Sequence, residues 1–319
     1  MTRRYLLRRL AGMLLTLLGV AVVVFLALRL LPGDAITAKL GTQSGVLTAA
    51  QRQALEHYYG LDRSLPAQFL LWLGAALRGN LGVSMDSGHS VASLIGTAAP
   101  VTVELAVLAT LIGAPAGVAL GVLAASRPRG ARDLGVQVAG LLGMAVPEFV
   151  VGTVLVATLA AVFAYFPDAG SFVRLTDSVR GNLSQMLYPA LVLAVQFAAI
   201  VMRTTRSAYL EVAGADFVRT AHGKGLAPGR VRWRHVLHNA AVPIVTITGI
   251  QFGYLLGGTV IIEQIFALPG LGRLLLTGIV QRDYPVVQGA VLLVAVSFVL
   301  VNLLVDLLYR ALDPRTRLA

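Results

Sequence analysis

The side chains best able to act through charge are concentrated in one polar stretch, residues 211–243, which lies between two long apolar segments. We call this stretch the basic loop. Its cations and imidazoles are Arg219, Lys224, Arg230, Arg232, Arg234, His222, His235 and His238. The three histidines have no acidic or thiolate residue at a metal-ligand spacing, so we predict no metal site. The fixed cations instead predict a loop on the cytoplasmic side of a membrane. The predicted shape of the loop suits docking to a cytosolic partner, and a solvated loop that only sets the topology is the alternative.

Three acidic residues, Glu104, Glu148 and Glu263, lie in or beside apolar segments. A charge in hydrocarbon costs at least about 2.5–3.5 kcal/mol, so each side chain should face a bundle interior, a cavity or an interface. Glu104 and Glu148 are therefore candidates for a translocation pathway. Glu148, which follows Pro147, is the better candidate for meeting a substrate ammonium. An internal polar partner is an equal alternative for Glu148 and the preferred one for Glu263.

Several sequence motifs of catalysis are absent. No GxxxxGK[ST] phosphate-binding loop and no GxSxG elbow occur, and the chain has no cysteine. We therefore predict that the chain is not itself an enzyme and that it holds no catalytic residue and no cofactor.

The positive charge is unevenly distributed along the chain. The net charge is +11, and 57% of the residues are hydrophobic. Of the 26 Lys and Arg residues, 17 fall in four regions: the first nine residues, 127–132, 203–234 and the last ten residues. Such alternation is typical of a multispanning membrane protein with both termini cytoplasmic, and it argues against a nucleic-acid partner.

The apolar segments that must position these residues are long enough to cross a bilayer, which requires about 20 residues of helix. We predict an all-α integral membrane fold with six transmembrane helices. The third segment is too long for one straight helix, and Pro147 predicts a kink in it. The six segments are residues 10–31, 98–125, 134–166, 187–206, 241–263 and 285–309.

Shorter helical patterns lie outside these segments. In the region between the first two spans, Thr48 and Gln51 form a predicted capping pair. A second pattern there places Phe69, Trp72, Leu73 and Ala76 on one face, for which we predict a membrane-interface position. Residues 271–280 are predicted to form a helix that is too short to cross the membrane.

The predicted division of the chain is a cytoplasmic N-terminus with the first span (1–31), an extracytoplasmic helical insertion (32–96), a five-span core (97–310) with a cytoplasmic loop at 207–240, and a cytoplasmic tail (311–319).

Two of the apolar segments carry glycine at every fourth position. This spacing leaves a helix face without side chains and allows another backbone to approach closely, so we predict helix packing at both. The glycines are Gly113, Gly117 and Gly121 in the second span and Gly249, Gly253 and Gly257 in the fifth.

The basic loop itself predicts a helix, a glycine break and a second helix. Residues 216–222 have a helical pattern with Phe217 and Ala221 on one face. Gly223 and Gly225 permit a turn with positive φ, and Pro228 suits the first position of the next helix.

The run DFVRTAHGKGL followed by RHVLHNAAVP resembles the cytoplasmic EAA loop of ABC importer permeases, in the form of the dipeptide, oligopeptide and nickel group. Further blocks resemble the same group: LPGD at 31–34, PVTVEL at 100–105 and the segment at 261–289. The loop departs from the eponymous Glu-Ala-Ala, having Arg219-Thr220-Ala221. The similarity covers nearly the whole chain.

The resemblance implies the type I ABC importer permease fold and the B-type half of a heterodimeric permease. In that family the loop is a coupling helix that docks in a groove of an ATPase subunit. The residues implied to couple here are Asp216, Phe217, Arg219, Thr220, Ala221, Lys224 and Gly225.

The implied partners are a homologous second permease, two ABC ATPases that bind ATP and Mg²⁺, an extracytoplasmic solute-binding protein and membrane lipid. The implied location is a bacterial plasma membrane. Peptides are the expected cargo, and a nickel chelate, glutathione or another solute is the alternative. An autonomous channel or secondary transporter would leave the basic loop unexplained.

Overall fold

A computed structural model describes residues 3–30, 48, 50–51, 53–54 and 62–312, and these residues form helices joined by turns. One isolated antiparallel bridge joins Val83 and Ser90. The helices are α1 (Arg3–Leu30), α2 (Leu65–Ala76), α3 (Val91–Ala125), α4 (Ala131–Ala145), α5 (Glu148–Phe163), α6 (Val179–Ala213), α7 (Asp216–Gly223), α8 (Pro228–Gly258), α9 (Val260–Ile265), α10 (Leu271–Val280) and α11 (Tyr284–Leu312).

Among the described residues, five helices are long and apolar enough to span a membrane, namely α1, α3, α6, α8 and α11. The pair α4 and α5 passes the same test together, although the two helices meet at 92°. The six predicted apolar segments are therefore largely helical over their described residues. The third is broken at Val146 and Pro147, and the fifth at Thr259. Several helices run beyond the predicted segments because their polar ends continue past the apolar core.

The break between α4 and α5 is sharper than the predicted kink. Val146 precedes Pro147 and has the extended backbone (φ −81°, ψ 120°) that a following proline favours. Pro147 in turn has no N–H with which to continue the helix. As a result α4 ends at Ala145, and Glu148 is the first residue of a new helix in a new direction.

Contacts divide the chain into two compact units, the first comprising the described residues of Met1–Thr102 and Pro269–Val299 and the second those of Val103–Leu268 and Leu300–Ala319. The predicted boundaries at 31, 96 and 310 separate the two sides of the membrane. Contacts within the chain do not report on which side a residue lies, so these boundaries remain predictions. The LPGD block and residues 313–319 lie outside the described residues.

In the first unit, α2 packs on α1 through aromatic rings. Phe25 is buried, with its ring centroid 5.3 Å from that of Phe69 and 6.1 Å from that of Trp72. The Arg29 guanidinium lies 4.5 Å above the Phe25 ring, and its Nε donates to Gln68 Oε1 at 2.9 Å. The Phe69 and Trp72 face thus packs on α1. Its predicted position at the membrane interface stays a prediction.

The capping pair predicted in the same region is confirmed. Thr48 N donates to Gln51 Oε1 at 2.9 Å, and Gln51 N donates to Thr48 Oγ1 at 3.3 Å. This reciprocal arrangement is a capping box, which begins a helix by satisfying two backbone N–H groups.

The buried carboxylate of Asp283 holds the turn that precedes α3. It accepts hydrogen bonds from Ser84 Oγ at 2.5 Å and from the backbone N–H of Asp86 at 3.2 Å. It also accepts from Val286 N at 3.4 Å in the first turn of α11. One side chain thus fixes two segments about 200 positions apart.

We expect Asp283→Ala to loosen residues 84–90 because each hydrogen bond to a charged group contributes about 1.5–3 kcal/mol. Hydrogen exchange followed by mass spectrometry should show faster exchange in this segment. His89→Ala, which removes an exposed side chain from the same turn, is the matched control. Unchanged protection in Asp283→Ala would contradict this role.

In the second unit, the glycines of α3 pack against α6. A Cβ atom at Gly117 would lie 2.7 Å from the Ala198 carbonyl oxygen, and one at Gly121 would lie 2.6 Å from Thr205 Cβ. At Gly113 the nearest atom would be Phe197 Cδ1, at 3.0 Å. Only glycine allows the two helices to approach this closely, as the spacing of glycine at every fourth position predicts.

The second set of glycines, at positions 249, 253 and 257, packs less uniformly. A Cβ at Gly249 would lie 2.0 Å from Val305 Cγ2. Gly253 is buried, whereas Gly257 is exposed. The packing role predicted for Gly253 and Gly257 therefore remains a prediction.

Candidate coupling loop and pathway carboxylates

The first helix of the basic loop, α7, is stabilised by its own side chains. Asp216 occupies the first turn, where a carboxylate interacts favourably with the helix dipole, and it pairs with Arg219 one turn later. Thr220 Oγ1 donates to the Asp216 carbonyl oxygen at 3.0 Å. His222 Nδ1 lies 3.0 Å from the Val218 carbonyl oxygen.

The end of α7 has the geometry of a Schellman motif. Gly225 has φ = +75°, a value that favours glycine, and its N–H donates to the His222 carbonyl at 2.9 Å. Leu226 N donates to the Ala221 carbonyl at 3.3 Å. Pro228 is the first residue of α8. The predicted helix, turn and second helix are thus confirmed, with Gly225 rather than Gly223 as the residue of positive φ.

One face of α7 is buried against the chain itself. Val218 and Ala221 belong to a hydrophobic cluster whose other buried members are Val122, Ala125, Tyr209, Val231 and Val236. Ala221 is 6% exposed, so the prediction that it faces a groove of a partner is wrong. Residues 217 and 218 are about 100° apart on a helix, so burying Val218 with Ala221 turns Phe217 outward.

The opposite face of α7 is exposed, and we call it the docking face. Phe217 is 47% exposed, and Asp216, Arg219, Thr220 and Lys224 are exposed with it. Trp233, in the π-helical stretch Val231–Leu237 at the start of α8, is 60% exposed. The basic loop therefore combines a packed apolar base with an exposed aromatic and charged surface.

A buried ion pair that the sequence analysis missed ties α4 to α6. Asp133 is 1% exposed and accepts from Arg206 Nε at 2.6 Å and Arg206 Nη2 at 2.7 Å. It also accepts from Arg129 N and from Gln137 Nε2, both at 2.8 Å. The signal available in the sequence was an acidic residue directly after the arginines of 127–132.

We expect Arg206→Ala to lower the thermal stability of the purified protein because it leaves the buried Asp133 carboxylate without its cation. The double variant Asp133→Ala with Arg206→Ala should recover part of the loss. Size-exclusion chromatography after graded heating would measure both. Arg203→Ala, an exposed arginine on the same helix, is the control. Equal melting of Arg206→Ala and the control would contradict the prediction.

The structure does not bring the candidate pathway residues Glu104 and Glu148 to one place. Glu148 begins α5 and lines a cavity with residues of α6 and α8, and Glu104 is not among the residues that line it. Glu104 lies on α3 beside the Asn182 amide. Glu263 is buried and accepts from Thr259 Oγ1 at 2.8 Å, as the internal alternative predicts.

Comparison with known proteins gives two family matches. Residues 117–318 match the family described as "Binding-protein-dependent transport system inner membrane component", and residues 1–106 match its N-terminal counterpart. A solved structure described as "Crystal structure of an amino acid ABC transporter with histidines" aligns with 70% of this chain and 94% of its own, at 17% identity and a TM-score of 0.49.

Curated relatives match over nearly the full length. The chain is 38% identical over 314 residues to the "Probable peptide ABC transporter permease protein y4tP" of Sinorhizobium fredii, covering 98% of this chain and 99% of the relative. It is 37% identical over 332 residues to the "Di/tripeptide transport system permease protein DppB" of Pseudomonas aeruginosa, covering 98% of each. The chain therefore belongs to the binding-protein-dependent transport system inner membrane components, the multi-pass permeases of ABC transporters.

Proposed function

We propose that this chain is the transmembrane permease subunit of an ATP-driven importer of short peptides. The peptide substrate is supported by the names of relatives that match over nearly the whole chain. The proposed complex also contains a homologous second permease, two ATPases that bind ATP and Mg²⁺, and an extracytoplasmic solute-binding protein. The proposed location is a bacterial inner membrane, with both termini and the basic loop in the cytosol.

The observation that supports the coupling role is that α7 exposes its docking face while its other face is packed against the chain. Val218 and Ala221 anchor α7 to the chain, while Phe217 and its charged neighbours remain exposed. An exposed aromatic side chain beside charged ones offers both the apolar anchor and the polar rim of a protein interface. We therefore assign the docking face, Asp216, Phe217, Arg219, Thr220 and Lys224, to contact with the ATPase, with Gly225 shaping the turn.

The helices on either side of α7 provide a mechanical connection. Helix α6 has 35 residues and is about 52 Å long, well beyond the bilayer core of about 30 Å. Helix α8 runs without interruption from the basic loop into a candidate span. A movement of the docking face would thus be transmitted directly to two spans, as a switch between two packed arrangements requires.

Affinity purification in mild detergent tests this function. The chain should be coexpressed with its second permease, ATPases and binding protein, and the purified complex should be reconstituted into vesicles. We expect the ATPases to copurify and labelled dipeptide to enter the vesicles only with ATP. A chain that transports alone, without an ATPase, would instead support a channel or secondary transporter.

A further inference from the structure

A polar cavity lies within the second unit, between α5, α6 and α8. Its volume is about 240 Å³. The polar side chains that line it are Glu148, Gln196, Gln251 and Tyr254. The rest of the lining is Leu193, Phe197, Ile200, Leu255 and Gly258.

The charge of this cavity favours a cationic ligand. Glu148 is acceptor-only when ionised, and no described residue donates a hydrogen bond to its carboxylate. Among the described residues, no lysine or arginine lines the cavity. A carboxylate in a cavity without a cation gains most from a ligand that brings both a positive charge and N–H donors.

The two glutamines add the ability to bind an amide. Gln196 and Gln251 lie in the interiors of α6 and α8, where neighbouring residues are almost all apolar. Each amide side chain offers two N–H donors and one carbonyl acceptor, which together match a peptide group. Polar side chains within membrane spans face a bundle interior or a cavity rather than lipid, and these two glutamines line the same cavity.

We propose that this cavity binds the amino-terminal end of a peptide in transit. The Glu148 carboxylate receives the α-ammonium group, and Gln196, Gln251 and the Tyr254 hydroxyl bind the first peptide group. The cavity is smaller than the roughly 300–1,000 Å³ of pockets that enclose a drug-sized ligand, so it accepts one end of the peptide rather than the whole molecule. This assignment rests on the proposed function as a peptide importer.

A structural role for Glu148 is the competing explanation. As the first residue of α5, its carboxylate also interacts favourably with the positive end of the helix dipole. That role requires a negative charge but no ligand, so the two roles make different predictions for binding. Only a ligand site distinguishes a free α-ammonium group from an acetylated one.

The test uses the assembled importer in nanodiscs, without the solute-binding protein. Equilibrium dialysis with radiolabelled dialanine and N-acetyl-dialanine should show at least about ten-fold tighter binding of dialanine, equivalent to about 1.4 kcal/mol. In Glu148→Gln, which keeps the size of the side chain, we expect this preference to disappear while N-acetyl-dialanine binds as before. Gln251→Leu should weaken the binding of both peptides.

Thr153→Val is the control variant. Thr153 lies on the same helix, and its hydroxyl donates to the Phe149 carbonyl oxygen at 2.8 Å, so the preference for dialanine should remain. A preference that survives in Glu148→Gln, or wild-type protein that binds neither peptide, would overturn the inference. Uptake by the complete importer is scored separately, since failure to import any peptide would overturn the proposed function itself.

Discussion

Replacing Phe217 with alanine is expected to lower ATP-driven uptake and recovery of the ATPase by about 30-fold while leaving the membrane helices folded. Phe217 is 47% exposed on α7, beside the charged residues of the docking face. Truncating an aromatic anchor at an interface costs about 2 kcal/mol or more, which corresponds to about 30-fold in affinity. Uptake into vesicles and the amount of copurified ATPase would measure the effect.

Phe166→Ala provides the comparison. Phe166 is 73% exposed and follows α5, far along the chain from the basic loop. Its loss should leave both uptake and ATPase recovery unchanged. If Phe217→Ala behaved like Phe166→Ala, the docking face would have no part in recognising the ATPase.

Replacing Gly121 with leucine is expected to prevent the second unit from folding stably. The added Cβ atom would lie 2.6 Å from Thr205 Cβ and 2.7 Å from the Met202 carbonyl oxygen. A backbone oxygen cannot move aside as a flexible side chain can. Overpacking usually costs 1–3 kcal/mol, and a leucine at this contact should lie at or above the upper end of about 3 kcal/mol. Thermal stability and yield of the purified chain would measure the loss.

Gly135→Leu tests whether the effect depends on helix contact. Gly135 lies on α4, and beyond its own helix turn no atom of the described residues comes within 4 Å of a Cβ placed there. We expect this variant to retain wild-type yield and stability. Equal stability of Gly121→Leu and Gly135→Leu would mean that α3 does not approach α6 as closely as described.

Local features of the fold could be predicted from the sequence because they depend on neighbours in the chain. The helix of 216–222, its glycine end and the start of α8 at Pro228 follow from capping, positive φ and the geometry of proline. The short helix of 271–280 is likewise defined by its apolar length and flanking turns. Each of these signals lies within a few residues of the feature that it predicts.

The angle between successive helices and the choice of which helix face is buried were less predictable, because both depend on contacts between distant segments. Pro147 indicated a break, but the 92° angle between α4 and α5 depends on packing against other helices. Both Phe217 and Val218 could have shared a face with Ala221, at spacings of four and three residues. Only the position of α7 against Val122 and Val231 decides which one is buried.

The polar cavity beside Glu148 shows what a search for charged residues alone leaves out. Intramembrane acids are conspicuous in an apolar sequence, whereas Gln196 and Gln251 are uncharged and lie 48 and 103 positions beyond Glu148. Two amides in the interiors of apolar spans were the available signal. That they line one cavity with Glu148 follows only from the packing of α5, α6 and α8.

Site-specific photo-crosslinking tests the central claim, that the docking face contacts the ATPase, most directly. A benzophenone amino acid would replace Phe217, Ala221 or Phe166 in the coexpressed complex, followed by irradiation and identification of the crosslinked chain. We predict a crosslink to the ATPase from position 217 and none to it from positions 221 and 166. An importer that is active and intact, yet gives no ATPase crosslink from position 217, would contradict the account.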